Sequence, residues 1–489
     1  MKILLVYPGT IVREVPLNLL HISSSLKKAG FDTKIFVLTS FYNQKIMRNS
    51  NKFIQKEFKE VLLGYQPDIV GFSLMTINYD ITMKLAGIVK EKTVAKVICG
   101  GIHPTIDPEE TINEKDVDFI CIGEGEKSVV DLVFKIKKNE DYTSIKGIWV
   151  KKNGKIYRNL LGELEENLDT IPFPDREALS DHYYNDELIG TNILTSRGCP
   201  YHCSFCQNKY LMSIYNGRGK FVRYRSFENI FAEIEFLINR YHIKKLYFSD
   251  ETFTLNKNRV LKFCDEYKKR INLPFMCQTR VDTVDEEIIS AMKEARCFQL
   301  SLAIESGNEN IRKKLLNKPY TNKQINDVFQ LAKKYNLKTQ SFNIIGVPGE
   351  RLEHIFETIE LNKKVQPDRI LVTIFMPFKG TELGEWCFKK GLVKGNPKKA
   401  SNIYNAVSIE YDNINPKTIL GYQGFFDWYV RLPNRYYKII NLIRFIYQTM
   451  LPTQNPNNRF LMFFRFLLIK FVHRLKRFLP VSGTYLFKI

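Results

Sequence analysis

The chain has 489 residues, of which 44% are hydrophobic and 26% charged, and a formal net charge of +21. This composition suits two or three globular domains and argues against a disordered or fibrous chain. The positive balance calls for an anionic partner (nucleic acid, an acidic membrane surface or a phosphorylated substrate) without choosing among them. Nine cysteines, three of them at 199, 203 and 206, in a sequence that opens MKILLVYP with no secretory leader, read as reduced cytoplasmic thiols rather than a disulfide framework. No run of apolar residues is long enough for a spanning helix.

In chain order, Lys2–Tyr7 is a buried-type strand ending at Pro8-Gly9, and a helical pattern over Leu17–Lys28 closes at Gly30. A strand at 33–37, a charged helix to about residue 63, a strand at Ile69–Ser73, a helix over 80–89 and strands at 95–99 and 119–122 follow. Strict alternation of strand and helix predicts a parallel sheet covered on both faces. Over 1–145 this is a flavodoxin-like, doubly wound α/β domain, which takes ligands at the carboxyl ends of its strands. Residues 146–185 form a linker, with a hairpin over 147–158 turning at Asn153-Gly154.

From residue 186 the alternation resumes, with strands at 192–195, 245–249, Phe275–Thr279, 298–304, 339–345 and 369–375 and a helix over Phe227–Tyr241 capped by Ser226. Six strand–helix units over 186–399 predict a partial barrel. Residues 400–489 are a mainly helical region, and after Asp427 they carry eleven Lys/Arg and no Asp or Glu. On a helix, residues 460–479 place most of their apolar side chains on one face and the basic ones on the other. Two outcomes fit that pattern: peripheral contact with the inner face of the membrane, or packing on the barrel. Nucleic acid is disfavoured, because the aromatic residues sit in a stripe rather than among the charges.

Cys199-Pro-Tyr-His-Cys203-Ser-Phe-Cys206 follows the first barrel strand and the turn at Arg197-Gly198. Three thiols in one loop suit one metal centre. A structural zinc site needs a fourth ligand that His202 is badly placed to supply, whereas three ligands on a four-iron cluster leave one iron open. The triplet, with Phe205 before its last cysteine, resembles the signature of the radical S-adenosylmethionine enzymes. That resemblance implies a 4Fe–4S cluster on Cys199, Cys203 and Cys206, S-adenosylmethionine chelated at the open iron, and a 5′-deoxyadenosyl radical that abstracts hydrogen from substrate. It covers roughly residues 190–385 and brings further expectations. Asp250 or Glu251 in YFSDETF meets the methionyl ammonium, Glu305 and Ser306 in LAIESG lie near the ribose, and Gly346 and Gly349 in NIIGVPGE lie beside the adenine.

The first domain resembles the cobalamin-binding domains that precede some radical enzymes, through the 16–26 helix and the loops VGFSLMT, GGIHPT and GEGE. Ser73, Thr76, Gly100, Gly101, Pro104, Gly123 and Glu124 are the contacts this implies. The Asp-x-His-x-x-Gly pattern of classical cobalamin enzymes is absent, and neither His21 nor His103 is a good substitute as cobalt ligand. The combination resembles cobalamin-dependent radical methyltransferases and anaerobic magnesium-protoporphyrin ester cyclases. It implies an enzyme that modifies an unactivated carbon by C-methylation, with flavodoxin or ferredoxin as electron donor; the reduced thiols place it in the cytoplasm, and the tail with its apolar face points to a hydrophobic or lipid-like substrate. An oxidative cyclase or carbon–carbon bond former is the alternative within this architecture, and a non-catalytic cobalamin or iron–sulfur sensor the alternative outside it. A methylthiotransferase is disfavoured, since only Cys99 and Cys121 precede the triplet. Cys264, Cys277, Cys297 and Cys387 read as buried small hydrophobes.

Overall fold

The structure, a computed structural model, describes residues 1–9, 16–38, 50–179, 191–394, 407–411 and 414–449. The amphipathic segment 460–479 and the linker's end at residue 185 lie outside the described residues.

The first sheet is built from β1 (Lys2–Tyr7), β2 (Asp32–Val37), β3 (Ile69–Ser73), β4 (Lys96–Gly100) and β5 (Phe119–Cys121). These strands are parallel and run in the order β2-β1-β3-β4-β5, so the order reverses between β1 and β3. Helices α1 (Leu17–Lys28) and α6 (Glu126–Lys137) cover one face; α2 (Ser50–Tyr65) and α3 (Tyr79–Lys92) cover the other. Two short helices, α4 (Ile102–Ile106) and α5 (Pro108–Asn113), connect β4 to β5. The hairpin expected in the linker instead extends this sheet. Strand β6 (Ile148–Lys152) pairs antiparallel onto β5, where Ile148 and Val150 bury their side chains, and β7 (Lys155–Tyr157) pairs antiparallel onto β6 at the sheet edge.

The second sheet comprises β8 (Asn192–Ile193), β11 (Leu246–Phe248), β12 (Phe275–Thr279), β13 (Cys297–Glu305), β14 (Lys338–Ile345) and β15 (Arg369–Ile374). It is wholly parallel and open, in the order β15-β14-β13-β12-β11-β8. A small antiparallel pair, β9 (Ser196–Arg197) and β10 (Arg223–Tyr224), brackets the cysteine loop. The helix Phe227–Tyr241 starts where the sequence predicts, with Ser226 Oγ accepting the Asn229 N–H at 3.1 Å. The edge strand β15 is covered by the helix Pro416–Arg431, whose Gln423 donates to the Val372 carbonyl at 3.2 Å.

A single apolar cluster runs from Ile3 and Leu132 in the first sheet and its helix to Phe231 and Leu361 around the barrel. The two halves are further tied by Asp175 of the linker, which accepts from Ser23 Oγ at 2.5 Å and lies 2.7 Å from Lys27 Nζ. Residues at the carboxyl ends of strands in both sheets line one cavity.

Candidate active site between the two sheets

Gly198 sits at φ +88°, and an added Cβ would lie 2.3 Å from the Phe221 carbonyl oxygen, so only glycine makes this turn into the cysteine loop. The loop is pinned from distant segments. Asn317 Nδ2 donates to the His202 carbonyl at 2.7 Å, the Leu383 N–H to the Ser204 carbonyl at 2.8 Å, and Ser204 Oγ to the Leu315 carbonyl. Cys199 and Cys203 are buried and Cys206 is partly buried. Burial pushes the Cys206 thiol up to about 11, and the neighbouring Cys203 and Cys199 add to the shift. Burial raises Cys203 as well, against the pull of Lys318 and Arg280. Cys203 and Cys206, which burial holds above the ordinary thiol value, would be drawn to the thiolate form by iron, and three thiols in one pinned loop are a donor set that fits a cluster.

Sequence reasoning missed the cations around this loop. Arg280, just beyond β12, donates from Nη1 to Cys203 Sγ at 3.4 Å and lies 3.5 Å from the Tyr201 ring centroid. Lys318 is buried and bonded to Glu305 Oε1 at 2.7 Å. Burial disfavours its charge, but the Glu305 carboxylate more than offsets this and keeps it protonated. Glu305 itself adopts φ +61°, a conformation costly for a side chain and tolerated where the surroundings over-determine it. Here Arg312 fixes the next residue by donating to the Ser306 carbonyl at 2.5 Å. The signal for Arg280 was its place one step past a strand, a weak one without the tertiary fold, and Lys318, well beyond the end of β13, had none.

The two neighbouring carboxylates part company. Asp250 is fully buried and accepts from the Thr195 N–H and hydroxyl at 3.0 and 2.9 Å and from Ser196 Oγ, so it buttresses the loop after β8. Glu251 opens into the cavity beside Gly198. Phe205 lies under Lys318, 5.7 Å from its Nζ. The Gly346 N–H is bound by Glu350 Oε2 at 2.5 Å and its carbonyl by Tyr411 Oη at 2.5 Å, whereas Gly349 has open space around it.

A cavity of about 420 Å³ occupies the gap between the sheets. Ser73, Gly100, Gly101, Gly123 and Glu124 lie on its wall; Thr76 and Pro104 do not. Thr76 instead bonds His103 Nδ1 at 3.0 Å, and Pro104 is buried in α4. Gly101, at φ +109°, would bring a Cβ within 3.0 Å of the Leu74 carbonyl oxygen, so this stretch stays bare backbone facing the cavity. An apolar slot of Leu5, Leu19, Ile22, Ile98 and Val129 runs down between α1 and α6. His21 also lines the cavity; burial, with Arg197 nearby, lowers its pKa to about 4, and its Nδ1–H donates to the Pro172 carbonyl at 3.2 Å. The glycine wall and slot fit a large planar cofactor with an apolar tail group. His103, Asp107 and Glu110 bring ligand atoms within 4.8 Å of one another, but Asp107 is paired with Lys379.

Glu124 does more than line the cavity. It accepts Arg223 Nη2 and Nη1 at 2.6 and 3.0 Å and lies 3.3 Å from Arg197 Nη1, while its N–H donates to Tyr215 Oη at 2.8 Å. Arg197 reaches on to Glu126 at 2.6 Å. Burial would raise the Glu126 pKa, and the Arg197 charge more than reverses this. The residue two positions before Cys199 is thus clamped to the ligand loop of the first sheet.

Comparison with known proteins agrees with this geometry. Residues 193–361 match the Radical SAM superfamily and residues 11–133 the B12 binding domain. An uncharacterized methyltransferase of Pyrococcus horikoshii is 33% identical over 80% of this chain and 84% of its own length. Cytidylyl-2-hydroxyethylphosphonate methyltransferase of Streptomyces wedmorensis is 24% identical over 77% of this chain and 78% of its own. Anaerobic magnesium-protoporphyrin IX monomethyl ester cyclase of Rubrivivax gelatinosus is 26% identical over 74% of this chain and 64% of its own. The structure of the radical S-adenosylmethionine methyltransferase TsrM from Kitasatospora setae shares the fold at TM-score 0.67 and 16% identity, over 97% of this chain and 99% of that one. The protein therefore belongs to the cobalamin-dependent radical S-adenosylmethionine enzymes of the methyltransferase and cyclase branch, whose cofactors are a 4Fe–4S cluster, S-adenosylmethionine and cobalamin.

Proposed function

We propose that this enzyme methylates a hydrophobic or lipid-like substrate at an unactivated carbon, and that Cys199, Cys203 and Cys206 hold the cluster. The observation that carries this reading is the shared cavity: Gly198 and Glu251 beside the cysteine loop and Gly100, Gly101 and Gly123 on the first sheet are walls of one space. When bound, the cluster and S-adenosylmethionine supply the hydrogen-abstracting radical and cobalamin the methyl group. The protein's own residues set the geometry. Glu251 offers a carboxylate to the methionyl ammonium, with Glu305 and Ser306 on the ribose side and Gly346 and Gly349 on the adenine side. Lys318 holds the Glu305 carboxylate in place. Asp250 contributes by fixing the loop after β8 rather than by meeting the ligand. The slot between α1 and α6 takes the cofactor's tail.

The hydrophobic substrate class is supported by the barrel-side wall, where Leu164, Leu194, Leu211 and Phe221 face the cavity. It is also supported by the helix Tyr437–Thr449, which leaves Ile439, Leu442 and Phe445 exposed beside Arg435 and Lys438. That surface suits peripheral contact with an acidic bilayer. Among the described residues no helix is long and apolar enough to cross a membrane. A one-electron donor of the flavodoxin or ferredoxin kind completes the system.

The test is anaerobic reconstitution, iron and cobalt analysis, and chromatography for 5′-deoxyadenosine after reduction. Wild type is expected to form 5′-deoxyadenosine, and Cys203→Ala to lose both the cluster absorbance and the product. A cluster-bearing wild type that never cleaves S-adenosylmethionine would instead indicate a sensor. With substrate present, a product heavier by a methyl group supports methylation. A product oxidised or cyclised without added carbon supports the cyclase reading, which the Rubrivivax gelatinosus relative favours.

A further inference from the structure

We infer that Arg280 is a positioning residue for the electron: it donates an N–H···S hydrogen bond to the Cys203 thiolate and thereby raises the reduction potential of the cluster. The inference rests on the assignment of the cluster to Cys199, Cys203 and Cys206. Its basis is how the guanidinium is held. Asp282 accepts from Nε at 2.8 Å and from Nη2 at 2.6 Å, a two-point grip on one edge of the fork. The opposite edge is left facing the loop, with Nη1 at 3.4 Å from Cys203 Sγ. The Tyr201 ring, its centroid 3.5 Å from the guanidinium carbon, closes one flat face of the group. Arg280 itself is only 5% exposed, while Asp282 behind it reaches the surface.

Reduction adds negative charge to the iron–sulfur unit, and part of that charge falls on the cysteine sulfurs. A hydrogen-bond donor aimed at one of these sulfurs stabilises the reduced state more than the oxidised one. Lys318, the other nearby cation, has its charge matched at 2.7 Å by Glu305, and no hydrogen bond from it to a cysteine sulfur is among those of the described residues. Arg280 is also paired, but Asp282 lies behind it, so the pair acts as a dipole with its positive end at the sulfur. A lysine at 280 keeps the charge and cannot reach Asp282 and Cys203 together in this geometry. A glutamine removes the charge.

The experiment uses full-length protein, reconstituted anaerobically and titrated potentiometrically without S-adenosylmethionine, with iron counted in every sample. At the poise where wild type is half reduced, Arg280→Gln is expected to be about tenfold more oxidised, a shift of about 59 mV for a one-electron couple. Arg280→Lys is expected to lie between the two. In wild type carrying 15N-arginine, pulsed electron paramagnetic resonance of the reduced cluster is expected to show 15N coupling that Arg280→Lys loses. Unchanged midpoints in variants with wild-type iron content, or no 15N coupling in wild type, overturn the proposal. If Arg280→Gln fails to fold, Arg280→Lys and the labelled wild type decide alone. A wild-type protein that takes up no iron overturns the cluster assignment and this proposal with it.

Discussion

Asp250 and Glu251 show how adjacent residues of the same chemistry separate into different jobs. Asp250 is enclosed and takes three donors from Thr195 and Ser196; Glu251 faces open space. Asp250→Ala should orphan those donors and lower stability by roughly 3 kcal/mol or more, seen as an earlier midpoint in urea unfolding. Glu251→Gln should change stability by less than about 0.5 kcal/mol. Its effect should be on affinity for S-adenosylmethionine, weakened roughly tenfold by loss of one charge-assisted hydrogen bond of about 1.4 kcal/mol, measured by equilibrium dialysis. A pH effect belongs to Glu350, whose carboxyl burial pushes up to about 8. The folded state therefore keeps a proton that the unfolded chain releases near the ordinary value of 4.5. Stability is greatest below that value and is lost as pH rises toward 8. Thermal melts at several pH values should show that decline in wild type and a flatter profile in Glu350→Gln.

At the scale of elements, the decisive feature is the clamp between the loop after β5 and the strands flanking the cysteine loop. Arg223 is almost wholly enclosed and pairs with Glu124, whereas Arg197, mostly enclosed, has Glu126 as its nearer partner and Glu124 as its second. Glu124→Ala leaves the enclosed Arg223 guanidinium without its carboxylate and Arg197 with Glu126 alone, which should cost about 3 kcal/mol and loosen the cavity wall. The expected readouts are a lower melting temperature and loss of cobalamin during gel filtration, with cluster content less affected. The strands themselves were legible because they are short, mainly apolar runs that alternate with helical patterns: Ile69–Ser73 and Phe275–Thr279 coincide with the sequence reading. Where the reading missed, long-range pairing decided the matter. The predicted strand at 192–195 shortens to Asn192–Ile193, since Thr195 spends its N–H on Asp250. The hairpin after residue 147 has the local signature of any hairpin, and nothing in it shows that β5 awaits a partner. Cys297 opens a strand just after a helix end, and it is buried as expected.

For the whole molecule, the distribution of charge and apolar surface is the property that reaches beyond the site. The helix Tyr437–Thr449 buries Ile440 against the Pro416–Arg431 helix and exposes Ile439, Leu442 and Phe445 at 56%, 60% and 61%. Those residues recur every third position, and no Asp or Glu follows Asp427 to offset the cations around them. Full-length protein should therefore float with vesicles containing phosphatidylglycerol and not with phosphatidylcholine alone. Ile439→Glu combined with Leu442→Glu should reduce the bound fraction by roughly tenfold while leaving melting within about 0.5 kcal/mol of wild type, as expected for exposed positions. Flotation that is indifferent to both substitutions would remove this helix from the membrane account.

The sequence by itself determined the order of the two sheets, most strand positions, the cysteine loop and the bare glycine loops, because each is a local pattern of spacing or alternation. Only the tertiary structure decided which carboxylate opens into the cavity, which cations meet Cys203, and that Glu124 is a hinge pin between halves as well as a cavity wall. Those residues come from segments far apart in sequence: Glu124 meets Arg223 across 99 positions and Arg280 meets Cys203 across 77. Their juxtaposition depends on how two twisted sheets dock through one shared apolar core. Side-chain chemistry read in linear order holds no record of that docking, and electrostatic partnership in a buried site is set by it.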